Sequence, residues 1–216
     1  MIYLWVKSNQ PGEPCIKFAR KFLSEDGVIC YPTETVYGLG ANIFSKAGFD
    51  RIAKAKERKE GEPFLILILD SWVDDYIAEG KKIKPLLEAF WPGKLTIIGT
   101  PSEKSGIPKH LLSEEGGLAV RSASTPLNRS LLESCGFPII STSANKRGET
   151  PPNRIDPKSE WLEKTCDLLL DAGRLDGNPS TIADIRQFPS KIKILREGIL
   201  PVDEIHREFP QTEILR

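Results

Sequence analysis

Six consecutive apolar residues, Phe64 to Leu69 (FLILIL), most constrain what this chain can fold into. A run this short falls well below the roughly 20 residues needed to cross a bilayer. It is apolar at every position, so it reads as a strand buried on both faces, which calls for helices on each side of a sheet.

The rest of the chain alternates in the way such a sheet requires. MIYLWV, VICYP, KLTIIGT, LAVR, FPIISTSAN, CDLLLDAG, STIADI and KIKILREG read as strands. PCIKFARKFLSEDG reads as a helix that turns Ile16, Ala19, Phe22 and Leu23 to one side and stops at Gly27. SKAGFDRIAKAKER reads as a second helix, with Phe49, Ile52, Ala53 and Lys56 near one face. Two short helices follow, Trp72 to Ala78 and Pro85 to Trp91. TPLNRSLLESCG, with Leu127, Leu131, Leu132 and Cys135 inward, and PVDEIHREF, with Pro201 near its first turn, complete the set. This order implies an α/β fold with a wide, mixed sheet flanked by helices. No repeat divides the 216 residues, so one domain is expected over 1–216. NKRGETPPNRIDPKS reads as a mobile loop within it.

Lys plus Arg and Asp plus Glu both number 30, so overall charge does not favour non-specific nucleic-acid binding. Cys15, Cys30, Cys135 and Cys166 form no CxxC pair, which argues for buried thiols in a reducing cytoplasm over a zinc site. The N-terminus lacks the charge-then-apolar pattern of a signal peptide, and no segment predicts a membrane span.

The polar residues concentrate where strands end. YPTETVYGLGAN, VRSAS, STSAN, NPSTIAD and ILREG each run from apolar residues into hydroxyls or an arginine. Ligands of open α/β sheets bind at such ends. Each hydroxyl alone is explained by a cap or turn, but their recurrence is not. Lys56 and Arg58 lie two apart, on different sides of a regular helix. Gly61 and Pro63 suggest that the helix ends here, so that both side chains could face one polyphosphate. YGLGAN lacks the third glycine of a dinucleotide loop, and PGKLT has Leu95 where a P-loop needs Ser or Thr. No nucleophile–histidine set is apparent. The inventory suits chemistry by positioning and charge stabilisation, such as nucleotidyl transfer with Mg²⁺ arriving on ATP.

Taken together, YPTETVYGLGAN, IAKAKER, FWPGKLT, LAVR, STSAN, NPSTIAD and ILREG resemble, in order, the YrdC/TsaC family of threonylcarbamoyl-AMP synthases. The resemblance runs from about Val28 to Gly198 and matches the single-domain form, with a core over about residues 10–200. It implies a twisted fold like that of dihydroxybutanone-phosphate synthase, around a central concave cavity. It implies formation of threonylcarbamoyl-AMP and pyrophosphate from L-threonine, bicarbonate and ATP, without a tightly bound organic cofactor and with no metal ligand named. A tRNA threonylcarbamoyl transferase would act downstream, with tRNA or double-stranded RNA as a further partner.

By the matched motifs, Lys56 and Arg58 would hold the ATP phosphates as catalytic residues. Thr33, Arg121, Ser141 and Ser180 would bind threonine, with Arg121 on its carboxylate. Ser143, Asn145 and Arg196 would contact the nucleotide. Gly38 and Gly40 are expected to let the backbone turn closely while Thr33 and Thr35 supply hydroxyls. Five residues depart from the family's usual pattern: Lys59 after Arg58, Glu62 ahead of Pro63, Phe64 in place of Leu, Thr142 in STSAN and Glu197 in LREG. The last two resemble the YciO-like branch, which leaves open a paralogue with another acceptor. A non-catalytic RNA-binding or ribosome-associated module is the third reading.

Overall fold

In the computed structural model, which describes residues 1–216 except Glu60 and Asp176, the FLILIL run is covered on both faces. Phe64, Ile66 and Ile68 enter one core cluster, and Leu67 and Leu69 enter the other. Full burial of each such side chain contributes about 1.5–3 kcal/mol. The strand at its centre therefore anchors both layers.

The strands are β1 (Ile2–Trp5), β2 (Ile29–Pro32), β3 (Tyr37–Asn42), β4 (Ile66–Ile68), β5 (Leu95–Gly99) and β6 (Leu118–Ser122). They continue with β7 (Ile139–Ser143), β8 (Leu168–Asp171), β9 (Thr181–Asp184), β10 (Lys191–Arg196) and β11 (Glu213–Leu215). The helices are α1 (Glu13–Ser24), α2 (Lys46–Ala55), α3 (Val73–Tyr76), α4 (Lys84–Phe90), α5 (Pro126–Cys135), α6 (Glu160–Thr165) and α7 (Val202–Glu208). All the strands join one mixed sheet in the order β1-β8-β2-β3-β7-β4-β6-β5-β9-β10-β11. The mixed α/β architecture expected from the sequence is the one found.

Helices α1 and α5 pack together on one face, where Ile16, Ala19, Leu23, Leu127, Leu131 and Leu132 meet Ile29 and Leu168. Thr125 caps α5 by accepting from the Asn128 amide, and Gly136 ends it in the left-handed region at φ 72. On the other face Ile52 of α2 packs with Phe64 and Ile66. Ser45 caps α2 through the Gly48 amide at 2.9 Å.

The structure refines three local expectations. YGLGAN is strand β3, and neither Gly38 nor Gly40 takes a left-handed φ. These glycines do not turn the chain, and Gly40 makes room for the Tyr31 ring. A Cβ on Gly40 would lie 2.8 Å from Tyr31 Cε1, and one on Gly38 would lie 3.5 Å away. Helix α2 stops at Ala55, and Glu57 takes φ 50, so the K-x-R pair leaves the helix as the glycine and proline beyond it suggested. The NKRGETPPNRIDPKS segment is tied down by backbone bonds from Tyr37 to Pro152 (2.9 Å) and from Leu175 to Asn153 (2.8 Å).

The turn after β10 is laced to the strand before it. Thr181 Oγ1 accepts from the Gly198 amide at 2.8 Å and donates to the Leu200 carbonyl at 2.6 Å. A Cβ on Gly198 would collide with the Pro179 carbonyl oxygen and lie 2.6 Å from the Ser180 carbonyl carbon. Gly198→Ala should therefore lower stability by about 1–3 kcal/mol, as overpacking against backbone does. Chemical denaturation reads this out; an unchanged midpoint would mean that the turn yields without cost.

Candidate active site

Two adjoining hollows open above β3, β5, β7 and β9. The inner one, of about 320 Å³, is lined by Thr33, Arg121, Ser141, Ser143, Ser180 and Arg196. The outer one, of about 720 Å³, is lined by Lys56, Asn145, Arg147, Asp184, Arg186 and Lys193. Arg58 borders both, together with Pro63, Ile98 and Leu195. All nine residues singled out from the sequence thus line one of two connected lobes.

In the inner lobe the hydroxyls are held by their neighbours. Thr33 Oγ1 accepts from the Thr35 and Val36 amides at 3.1 and 3.2 Å and donates to the Val36 carbonyl at 2.7 Å. Its proton therefore builds the PTET turn. Tyr31 donates to Ser141 Oγ at 2.7 Å, which leaves the Ser141 proton for a ligand. Burial pushes the Tyr31 pKa up to about 12, so this phenol stays a donor at neutral pH. Ser180 Oγ lies 2.8 Å from Thr96 Oγ1, and the Ser180 carbonyl accepts from Arg196 Nη2 at 2.8 Å.

The inner lobe's charges are buried. Arg121 is 5% exposed; its Nε has no hydrogen-bond partner, and Nη1 stands 3.5 Å from Glu34 Oε1. Burial lowers the pKa of Arg196, and the nearby Arg121 charge acts in the same direction. Two guanidiniums lining one hollow favour an anion between them.

Lys56 closes the outer lobe. Its ammonium donates to the Ser143 carbonyl (2.8 Å), the Asn145 carbonyl (2.6 Å) and Asn145 Oδ1 (3.1 Å). These bonds employ all three donors, so Lys56 shapes the STSAN turn and reaches an anion chiefly through its charge. Burial first, then the Arg58 charge, lowers its pKa from 10.5 to about 8. Asn145 Nδ2 is likewise committed, to the Lys146 and Glu149 carbonyls. Arg58 lies over the Phe64 ring, 4.8 Å from its centroid.

The acidic departures from the family pattern find local partners. Glu62 accepts two bonds of 2.8 Å from Arg147, which hold its pKa down at about 2. The Arg147 guanidinium also bonds the Glu57 carbonyl at 3.0 Å, joining the 144–155 segment to the end of α2. Glu197 accepts from the Val202 amide at 3.0 Å, at the first residue of α7. Tyr31, Thr96, Arg147 and the Asp184–Arg186 pair support or line the site without having been singled out from the sequence. Only Thr96 carried a local signal, as a polar residue inside the apolar KLTII.

Among the described residues no group of three or more His, Cys, Asp or Glu side chains is arranged to hold a metal ion. No helix among them is long and apolar enough to cross a membrane.

The protein-family model for Sua5, YciO and YrdC, described as "Telomere recombination", matches residues 21–198. A threonylcarbamoyl-AMP synthase of Bacillus subtilis is 34% identical over 79% of this chain and 48% of its own length. One of Pyrococcus abyssi is 31% identical over 92% of this chain and 58% of its own length. The chain thus spans about half the length of these two relatives. The crystal structure of P. abyssi Sua5 complexed with L-threonine superposes with a TM-score of 0.86 at 30% identity, over 99% of this chain and 62% of that one. The crystal structure of Escherichia coli YciO superposes with a TM-score of 0.83 at 28% identity, over 94% of this chain and 99% of that one. With the family model matching most of its length, the chain belongs to the Sua5/YciO/YrdC family.

Proposed function

We propose that the protein is an L-threonylcarbamoyladenylate synthase, a nucleotidyltransferase that joins L-threonine, bicarbonate and ATP. The observation that carries this reading is the division of the site. A small inner lobe holds hydroxyls and two guanidiniums, and a larger lobe lined by charges of both signs is joined to it at Arg58. The inner lobe suits an amino acid whose carboxylate meets Arg121, and the outer lobe suits a nucleotide.

In this reading threonine's amine attacks bicarbonate, a C–N bond forms, water leaves and a carbamate results. A carbamate oxygen then attacks the α-phosphorus of ATP, the bond to the β-phosphate's bridging oxygen breaks, and pyrophosphate departs. Both reactants of the second step are anions, so Arg58, Lys56 and Arg196 would offset their repulsion. Carbamates decompose in water, and substrates that fill the small inner lobe would displace water from it and delay this. Mg²⁺ would arrive with the nucleotide and supply charge stabilisation, while Glu62 and Asp184 stay paired with Arg147 and Arg186. The product would pass to a transferase that modifies tRNA in the cytoplasm.

A second reading, a YciO-like protein with another acceptor, is favoured by one observation. Glu197 serves as a cap on α7 at a position where the synthases commonly have Pro.

Incubation with ATP, Mg²⁺, bicarbonate and L-threonine tests the choice. Pyrophosphate release that requires both threonine and bicarbonate, with the mass of threonylcarbamoyl-AMP, is the expected result. ATP binding without that product would favour the second reading. Arg58→Ala should lower kcat/KM by about 100-fold or more, the scale of losing one charge-stabilising group. Near-normal turnover would remove Arg58 from the mechanism.

Lys56 gives a pH test. Its ammonium is charged below about 8 and loses its proton above, so ATP affinity should fall as pH rises through about 8. ATP's own charge is constant there, its last phosphate pKa being about 6 to 7. Stability responds in the opposite sense. A lysine whose folded pKa is lowered costs stability below that value, and the cost is relieved as pH rises from about 8 toward 10.5. Calorimetric ATP titrations from about pH 7.5 to 9.5, paired with denaturation, separate the two effects. A flat ATP affinity across this range would exclude Lys56 as a charge that ATP senses.

A further inference from the structure

We propose that Glu34, the acidic residue of PTET, is a positioning residue that holds Arg121 in the orientation that receives the substrate's carboxylate. The proposal rests on the amino-acid reading of the inner lobe.

Two observations converge on Glu34. Both of its carboxylate oxygens are closed off from solvent and make no hydrogen bond. A carboxylate in that state is costly unless a cation compensates it. Arg121 is that cation, with Nη1 3.5 Å from Oε1. This spacing is longer than the roughly 2.7–2.9 Å of a charge-assisted hydrogen bond. Glu34 therefore attracts the guanidinium without saturating its donors.

The second observation is the surrounding charge. Arg58, Arg121 and Arg196 all border the inner lobe, whereas Glu34 is not among the residues lining it. Without a counter-charge behind it, Arg121 would face Arg196 with like-charge repulsion and no opposing pull. Glu34 supplies that pull from outside the lobe, so it acts through Arg121 and does not touch substrate.

The test measures L-threonine and ATP binding separately, by calorimetry, for the wild type, Glu34→Gln and Glu34→Asp. Glu34→Gln keeps the shape and removes the charge. Threonine affinity should fall by about 10- to 100-fold, the loss seen when an outer partner of a ligating group is removed. ATP affinity should stay within about twofold, and the KM for threonine alone should rise. Glu34→Asp keeps the charge one methylene further back and should recover part of the loss. If Glu34→Gln does not fold, Glu34→Asp supplies the same comparison, with a selective loss of threonine affinity expected. Equal losses for both ligands would mark a structural role and overturn the proposal. Unchanged threonine binding in the variants would also overturn it, leaving the amino-acid reading intact. A wild type that binds ATP but not threonine would overturn the amino-acid reading, and the proposal with it.

Discussion

A buried ammonium holds the two halves of the site together. Lys56 and Ser143 are 87 residues apart, yet the lysine's donors end on the Ser143 and Asn145 oxygens. Removing that charge from water costs several kcal/mol. Three charge-assisted bonds offset the cost only if the oxygens are correctly placed. The end of α2 and the end of β7 must therefore arrive together, and β4 makes this happen. It pairs with β7 on one side and β6 on the other, bringing the STSAN strand and the Arg121 strand alongside one another. The strand most evident from the sequence is the one that assembles the site.

A chain of zero net charge leaves several cations facing the hollow by pairing most of the acids beside them. Glu62 is consumed by Arg147, and Asp184 by Arg186. Glu197 meets an amide at the start of α7, and Glu34 stands behind Arg121. Arg58, Lys56, Arg196 and Lys193 remain facing the lobes. Composition averages over these pairings, which is why the equal counts of acids and bases were silent about the site.

The same averaging separates what could be read from the sequence from what could not. FLILIL, α1, α2 and α5 were legible because burial imprints a period on neighbouring residues. The departure of Lys56 and Arg58 from the helix was legible from Gly61 and Pro63. YGLGAN was not legible as a strand, because its glycines are not in a turn and Gly40 answers to the Tyr31 ring on the adjacent strand. Tyr31 itself looked like a core residue, and the serine it holds lies 110 positions away. Short elements such as β11 and α6 carry too few residues for a period to emerge. The roles given to Thr33, Arg121, Ser141 and Ser180 came from family resemblance. The structure adds how each hydroxyl proton is spent.

That accounting limits what the inner lobe can bind. The Thr33 proton goes to the Val36 carbonyl and its lone pairs to the Thr35 and Val36 amides, so Thr33 shapes the pocket wall and has no hydrogen bond left to offer a ligand. Ser141 receives the Tyr31 proton and keeps its own to donate. Thr96 and Ser180 share one proton between them and retain the other. With Arg121 and Arg196 added, donors and positive charge outweigh acceptors. Such a pocket favours an anion and disfavours an ammonium group. Under the proposed reaction this bias has a chemical use, because an amine bound near two guanidiniums is held toward its neutral form. Only the neutral amine has the lone pair that attacks bicarbonate, so the charges that seat the carboxylate also prepare the nucleophile.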